Sequence, residues 1–187
     1  LRDGANEQSL CNGLFKTPID DGRAFTTLVS FDLGNDLAPP TTWDELKEVS
    51  EFFQGREIDG KKVYGAAIFT ERGSEGITMG VTAALYAWGF QYENPDKPYD
   101  MEGFVNSPDA VAALEFYKSL YDCCTPPGYT DSYMQEGLDA YKSGQVAMMM
   151  NWFAFFPGIA KDPDVGGEKT GFFVNPGEKV EASTVAN

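Results

Sequence analysis

Histidine is absent from this chain of 187 residues. That removes Ser–His triads, imidazole acid–base chemistry and the commonest transition-metal ligand together. Basic residues are scarce as well: 14 Lys and Arg stand against 29 Asp and Glu, a net charge of −15. With no basic stripe to neutralise phosphates, neither nucleic acid nor an anionic membrane surface is an expected partner. The acidic surface is sufficiently explained by solubility and names no ligand. No apolar run is long enough to span a bilayer, and the opening LRDGANEQSLCNG shows no signal-peptide pattern, so any export signal has been removed or lies outside the chain.

Cysteine is sparse too, with Cys11, Cys123 and Cys124 alone. Three are too few for a disulfide scaffold, and no CxxC spacing suggests zinc. Adjacent cysteines can bond to each other only as a strained ring, so Cys11 bonding one of them, or three free thiols, are equally open. No basic residue nearby would depress a thiol pKa, and Asp122 does the opposite, so no catalytic or metal role is expected of them. Carboxylates are plentiful, but nothing in their spacing pairs two acids as a glycosidase requires. Gly73-Ser74-Glu75-Gly76 lacks the lysine of a phosphate loop and the spacing of a dinucleotide fingerprint. It does precede a helix start, where free backbone N–H groups can receive hydroxyls or an anion.

What is present centres on Asp139–Gly158, DAYKSGQVAMMMNWFAFFPG. Gly144 sits where a helix C-terminus wants a residue tolerant of positive φ. Val146–Met150 then gives five uninterrupted apolar residues, the mark of a strand buried on both faces. The run ends in Asn151 and Trp152, followed by more aromatics and Pro-Gly. A buried strand that delivers an amide and an indole at its C-terminal end is how open α/β sheets present ligand contacts. The plainer reading makes Trp152, Phe153, Phe155 and Phe156 the cap of a core.

Elsewhere, 1–37 reads as an arm or partial strand outside the core, with only Ala24–Leu33 able to form a regular element, and Ala38-Pro39-Pro40 marks a boundary. Thr42 and Glu45 form a capping box ahead of a helix running to about Gln54, with Trp43, Leu46, Val49 and Phe53 at helical spacing. Val63–Phe69 reads as a strand after an Asp59-Gly60 turn. Ile77, Val81, Leu85 and Trp88 give one face of a second helix, with Trp88 assigned to the core. Ser107-Pro108-Asp109 starts a third, whose expected buried face is Val111, Leu114, Tyr117 and Tyr121. A fourth helix spans about 132–143 and a last strand Gly171–Val174. Buried strands alternating with helices predict a layered α/β sheet.

In this order, APPTTWDELKEV, VYGAAI, YAWGF, VNSPDAVAALEFYKSLYD and GLDAYKSGQVAMMMNW resemble the extracellular solute-binding proteins of family 1, the sugar-binding subunits of bacterial ABC importers. The resemblance covers about 36–180. Pro40–Leu46 and Tyr141–Met148 carry its most specific patterns. It implies an αβα lobe of the type II periplasmic-binding-protein fold, one of two lobes that close over a carbohydrate or polyol without catalysis and without a cofactor. On this reading 38–187 is one isolated lobe and 1–37 an arm or remnant of the interlobe crossing, and the uncovered cleft face would invite dimerisation. The ligand contacts the resemblance implies are Arg72, Ser74, Glu75 and Thr78 after the Val63–Phe69 strand, and Asn151, Trp152 and Phe153 after the central one. It also implies membrane permease subunits as partners and a periplasmic or extracellular location, lipid-anchored in a Gram-positive. The alternatives are a protein–protein module using an exposed aromatic patch, or a glycoside hydrolase fragment.

Overall fold

In the computed structural model, the residues described are 26–30, 39–73, 75–166 and 169–180. Local chemistry sets the first helix. Thr42 Oγ1 accepts from Glu45 N (3.1 Å), while Glu45 Oε2 accepts from Thr41 N (2.7 Å) and Thr42 N (3.3 Å). This closes the capping box at the head of α1 (Trp43–Phe53). The bonds to Thr41 and Thr42 hold the Glu45 carboxyl below its usual range. Its contribution is therefore present above the ordinary glutamate pKa and fades as pH falls through the lowered value. Thr42→Ala should cost about 1 kcal/mol, read as a lower urea midpoint at neutral pH.

A hairpin follows. Strand β2 (Arg56–Ile58) pairs antiparallel with β3 (Lys61–Ala67) across Asp59 and Gly60, whose φ angles of 51° and 74° fit a tight two-residue turn. Helices α2 (Gly76–Ala87), α3 (Pro108–Cys124) and α4 (Met134–Lys142) come next. Ser107 caps α3 by accepting from Ala110 N (3.1 Å), with Pro108 in the first turn. After α4, Gly144 takes φ +74°, its N–H bonding Tyr141 O and that of Gln145 bonding Ala140 O. The carbonyls left over at the helix end are thereby satisfied, and the chain turns directly into β4 (Val146–Trp152). A short turn Phe153–Phe155, helix α5 (Phe156–Ala160) and β5 (Gly171–Val174) complete the order.

The sheet runs β2-β3-β4-β1-β5, where β1 is Thr26–Ser30. β3 and β4 are parallel, whereas β1 runs antiparallel to both β4 and β5, so β5 shares the direction of β3 and β4. The β1 placement revises the expectation of an arm outside the core. Thr26–Ser30 bonds neighbours on both sides and lies within the sheet. Met148 and Met150 point into a core with α1, α2 and α3, and Met149 into a second core with α4 and α5. This is the layered αβα arrangement.

Two helix faces differ from expectation. On α3, Val111 and Leu114 are exposed, while Ala110, Ala113, Tyr117 and Leu120 are buried. On α2 the fully buried positions are Ala83, Ala84 and Ala87, with Trp88 in the core and Val81 and Leu85 half-buried. Small residues take buried positions on both helices. A Cβ added to Gly80 would lie 1.9 Å from Tyr117 Oη and 3.2 Å from Phe69 Cβ, so the approach leaves no room for larger side chains. Bulk is a poor guide to the buried face when two helices pack this closely.

The cysteine question also resolves. Cys123 and Cys124, at the end of α3, are bonded to each other; Cys11 lies outside the described residues.

Candidate functional site

The parallel strands β3 and β4 end at the same edge of the sheet, and the loops that leave them are where an open α/β sheet builds a site. The segment that opens α4 links the two loops. Thr70 N and Glu71 N both donate to Ser132 O (2.9 and 3.0 Å), and Thr70 Oγ1 donates to Tyr129 O (3.0 Å). The Tyr133 ring packs on Phe69 with centroids 5.6 Å apart. From the other strand, Asn151 Nδ2 donates to Met134 O (3.0 Å). Backbone and side-chain hydrogen bonds through this segment therefore join the two loops.

On this frame the anticipated residues fall into distinct roles. Glu75 immediately precedes α2 without a side-chain cap bond and is exposed; its carboxylate stands beside the Tyr133 hydroxyl. Burial first, then the Glu75 and Glu71 carboxylates, push that phenol up to about 12, so it stays protonated and able to donate. Arg72 and Thr78 are exposed at the same end of the molecule, the latter in the first turn of α2. Ser74 and the Phe153 side chain lie outside what is described. Asn151 is fully buried, with Nδ2 on Met134 O and Oδ1 accepting from Trp152 N (2.8 Å). Its amide is thus engaged within the protein, where it orients the residue that follows. Trp152 is half-buried, packed on the α1–α3 side of the core. Its Nε1–H is buried and has no acceptor among the described residues. A buried donor left unmatched is costly in a dry site, and such groups are satisfied by a protein acceptor or an ordered water.

Two residues escaped the sequence reading. Glu71 folds back over its own loop: a Cβ at Gly73 would lie 2.2 Å from Glu71 Oε1, and one at Gly76 2.4 Å from Oε2. This sets a carboxylate against the N-terminal turn of α2, the favoured end of the helix dipole for a negative charge. Asn175 follows β5 directly, is 2% exposed, and its Oδ1 has no donor among the described residues. The shared register with β1 places Val174 level with Asn151, so Asn175 lies at the same edge as Trp152, two strands away and about 10 Å across. The strand-end argument that singled out Asn151 applies equally to Asn175. Buried acceptor, buried donor, ring face and two carboxylates at one edge suit a neutral, hydroxyl-rich ligand.

Known proteins resemble this chain in sequence and in fold. Residues 25–185 match the bacterial extracellular solute-binding protein family. A Deinococcus radiodurans protein described as "Probable ABC transporter-binding protein" is 26% identical over 134 residues, which are 70% of this chain and 31% of that protein. Among solved structures, an ABC transporter solute-binding protein from Agrobacterium radiobacter in complex with ribitol superposes with a TM-score of 0.67. It is 23% identical and is matched over 85% of this chain and 39% of its own. Maltose-bound MalE3 from T. maritima gives a TM-score of 0.65 at 25% identity, over 84% and 40%. The fold is that of the type II periplasmic binding proteins. The chain spans about a third of the curated relative's length and about two fifths of each structure's.

Proposed function

Because this chain belongs to the bacterial extracellular solute-binding protein family, we propose that it captures a sugar or polyol for an ABC importer and that the β3–β4 edge forms one wall of the ligand cleft. The observation that carries the reading is Trp152, whose indole stands at the end of a fully packed strand, its Nε1–H buried without an acceptor among the described residues. The apolar C–H face of a pyranose or an extended polyol packs on such a ring, and one hydroxyl accepts the orphaned proton. Glu75 and Arg72 supply an exposed acceptor and donors at the rim, Thr78 and Ser74 add hydroxyls, Phe153 a second ring, and Asn151 holds Trp152 in place. The protein delivers its ligand to membrane permease subunits and performs no chemistry on it.

Calorimetric titration against a panel that includes ribitol and maltose, with product analysis on the same samples, tests this. Saturable binding without turnover is the expected result. Release of a hydrolysed product would make the protein a glycosidase, and silence across the panel would favour an interaction module.

A further inference from the structure

Away from the cleft, the C-terminal ends of α1 and α3 converge. Cys123 and Cys124 close α3, Glu51 stands in the last turn of α1, and one ligand atom from each lies within 4.8 Å of the other two. We propose that, once the Cys123–Cys124 bond is reduced, the two thiolates and the Glu51 carboxylate bind a thiophilic divalent cation, zinc or cadmium, with three protein ligands and one open position. The expectation of no metal role rested on the lack of a nearby basic residue, the presence of Asp122 and the absence of a CxxC spacing; Glu51 is far off in sequence and arrives only through helix packing.

Three observations favour the site. Two helix C-termini point their negative ends at one place, and neither last turn carries a basic side chain, so a cation is the missing complement. Two sulfurs and one carboxylate select zinc or cadmium over calcium or magnesium, which need many more oxygens. Burial grades from Cys124, fully enclosed, through Cys123, half-buried, to an exposed Glu51, which leaves an entry path on the carboxylate side. The competitor is Lys47, whose Nζ lies 3.9 Å from Glu51 Oε1, but an exposed pair of this kind is weak.

The chemistry balances. A dithiol such as dithiothreitol gives two electrons and two protons to the pair and closes to its own cyclic disulfide. The cation then displaces both thiol protons into the buffer. Oxidation and metal loading therefore exclude each other.

The test uses the Cys11→Ser chain, so that the pair supplies the only thiols. After reduction and anaerobic removal of the dithiol, cadmium binding is followed by equilibrium dialysis and by the thiolate-to-metal charge-transfer band. One equivalent should bind to reduced protein and none to oxidised. Cys123→Ser should abolish the band. Glu51→Gln, an exposed change that leaves the core intact, should weaken binding by about tenfold or more, the scale known even for outer-shell partners. Failure of the reduced protein to bind cadmium, equal binding when oxidised, or full affinity in Glu51→Gln would each overturn the proposal.

Discussion

Gly65→Ala should lower the unfolding free energy by about 3 kcal/mol, at the upper end of what overpacking costs. Strand β3 and helix α1 meet at this residue backbone to backbone. A Cβ on Gly65 would stand 2.3 Å from Ser50 O, 2.7 Å from Ser50 C and 2.8 Å from Ser50 Cα. None of these atoms can rotate aside, so α1 would have to lift from the sheet as a body. Lifting it would disturb Trp43, Leu46 and Phe53, each 1% exposed or less. It would also strain the Gln54 bridge, whose Oε1 accepts from Gly65 N (2.9 Å) and whose Nε2 donates to Thr125 O (3.4 Å). Gly60→Ala is the control. Nothing lies within 4 Å of an added Cβ there, and only its φ of +74° opposes the change, so about 1 kcal/mol is expected. Urea unfolding of the two variants distinguishes steric from conformational cost. A Gly65→Ala loss no larger than that of Gly60→Ala would mean that α1 does not sit this close to β3.

These contacts also explain which parts of the structure could be read from the sequence. The capping box at Thr42 and Glu45, the Ser107-Pro108 start and the Gly144 stop depend on neighbours within about one turn of helix, so local spacing reports them faithfully. The central strand was legible because it is buried on both faces and hence apolar without alternation. The α2 and α3 faces were not, because Ala83, Ala84, Ala87, Ala110 and Ala113 are buried for their small size, and size matters only relative to the opposing helix. A hydrophobic scale instead favours Val111 and Leu114, which the packing leaves in solvent. Ala24–Leu33 is legible as a possible strand, but the place of Thr26–Ser30 between β4 and β5 is not, because it is decided by partners that lie more than a hundred residues away in the sequence. At the site, the strand end at Asn151 and Trp152 was visible as an abrupt change from apolar to polar. Which of the two faces inward, and that Glu71 turns back on its own loop, depend on Met134, Gly73 and Gly76, contacts that exist only once the loops are assembled.

Trp152→Ala should weaken sugar or polyol binding about ten- to a hundredfold. Loss of a large apolar contact amounts to roughly 1.5–3 kcal/mol, and every 1.4 kcal/mol is about a factor of ten in the dissociation constant. The indole is held from behind by three supports: β4 is packed on both faces, Asn151 Oδ1 bonds the Trp152 N–H, and Asn151 Nδ2 ties that amide to Met134 O. A ring positioned this way loses little freedom when a ligand arrives, so most of the contact energy appears as affinity. Trp152→Phe separates the two contributions. It keeps a ring face but removes Nε1–H, which is buried without an acceptor among the described residues. If a ligand hydroxyl is the partner of that donor, Trp152→Phe should bind at an intermediate strength; if only stacking matters, it should bind nearly as well as the parent. Thermal unfolding on the same samples supplies the competing account. Should Trp152→Ala lower the melting temperature sharply while the affinity per folded molecule stays unchanged, the indole is a core residue and the cleft wall must be sought elsewhere on the β3–β4 edge.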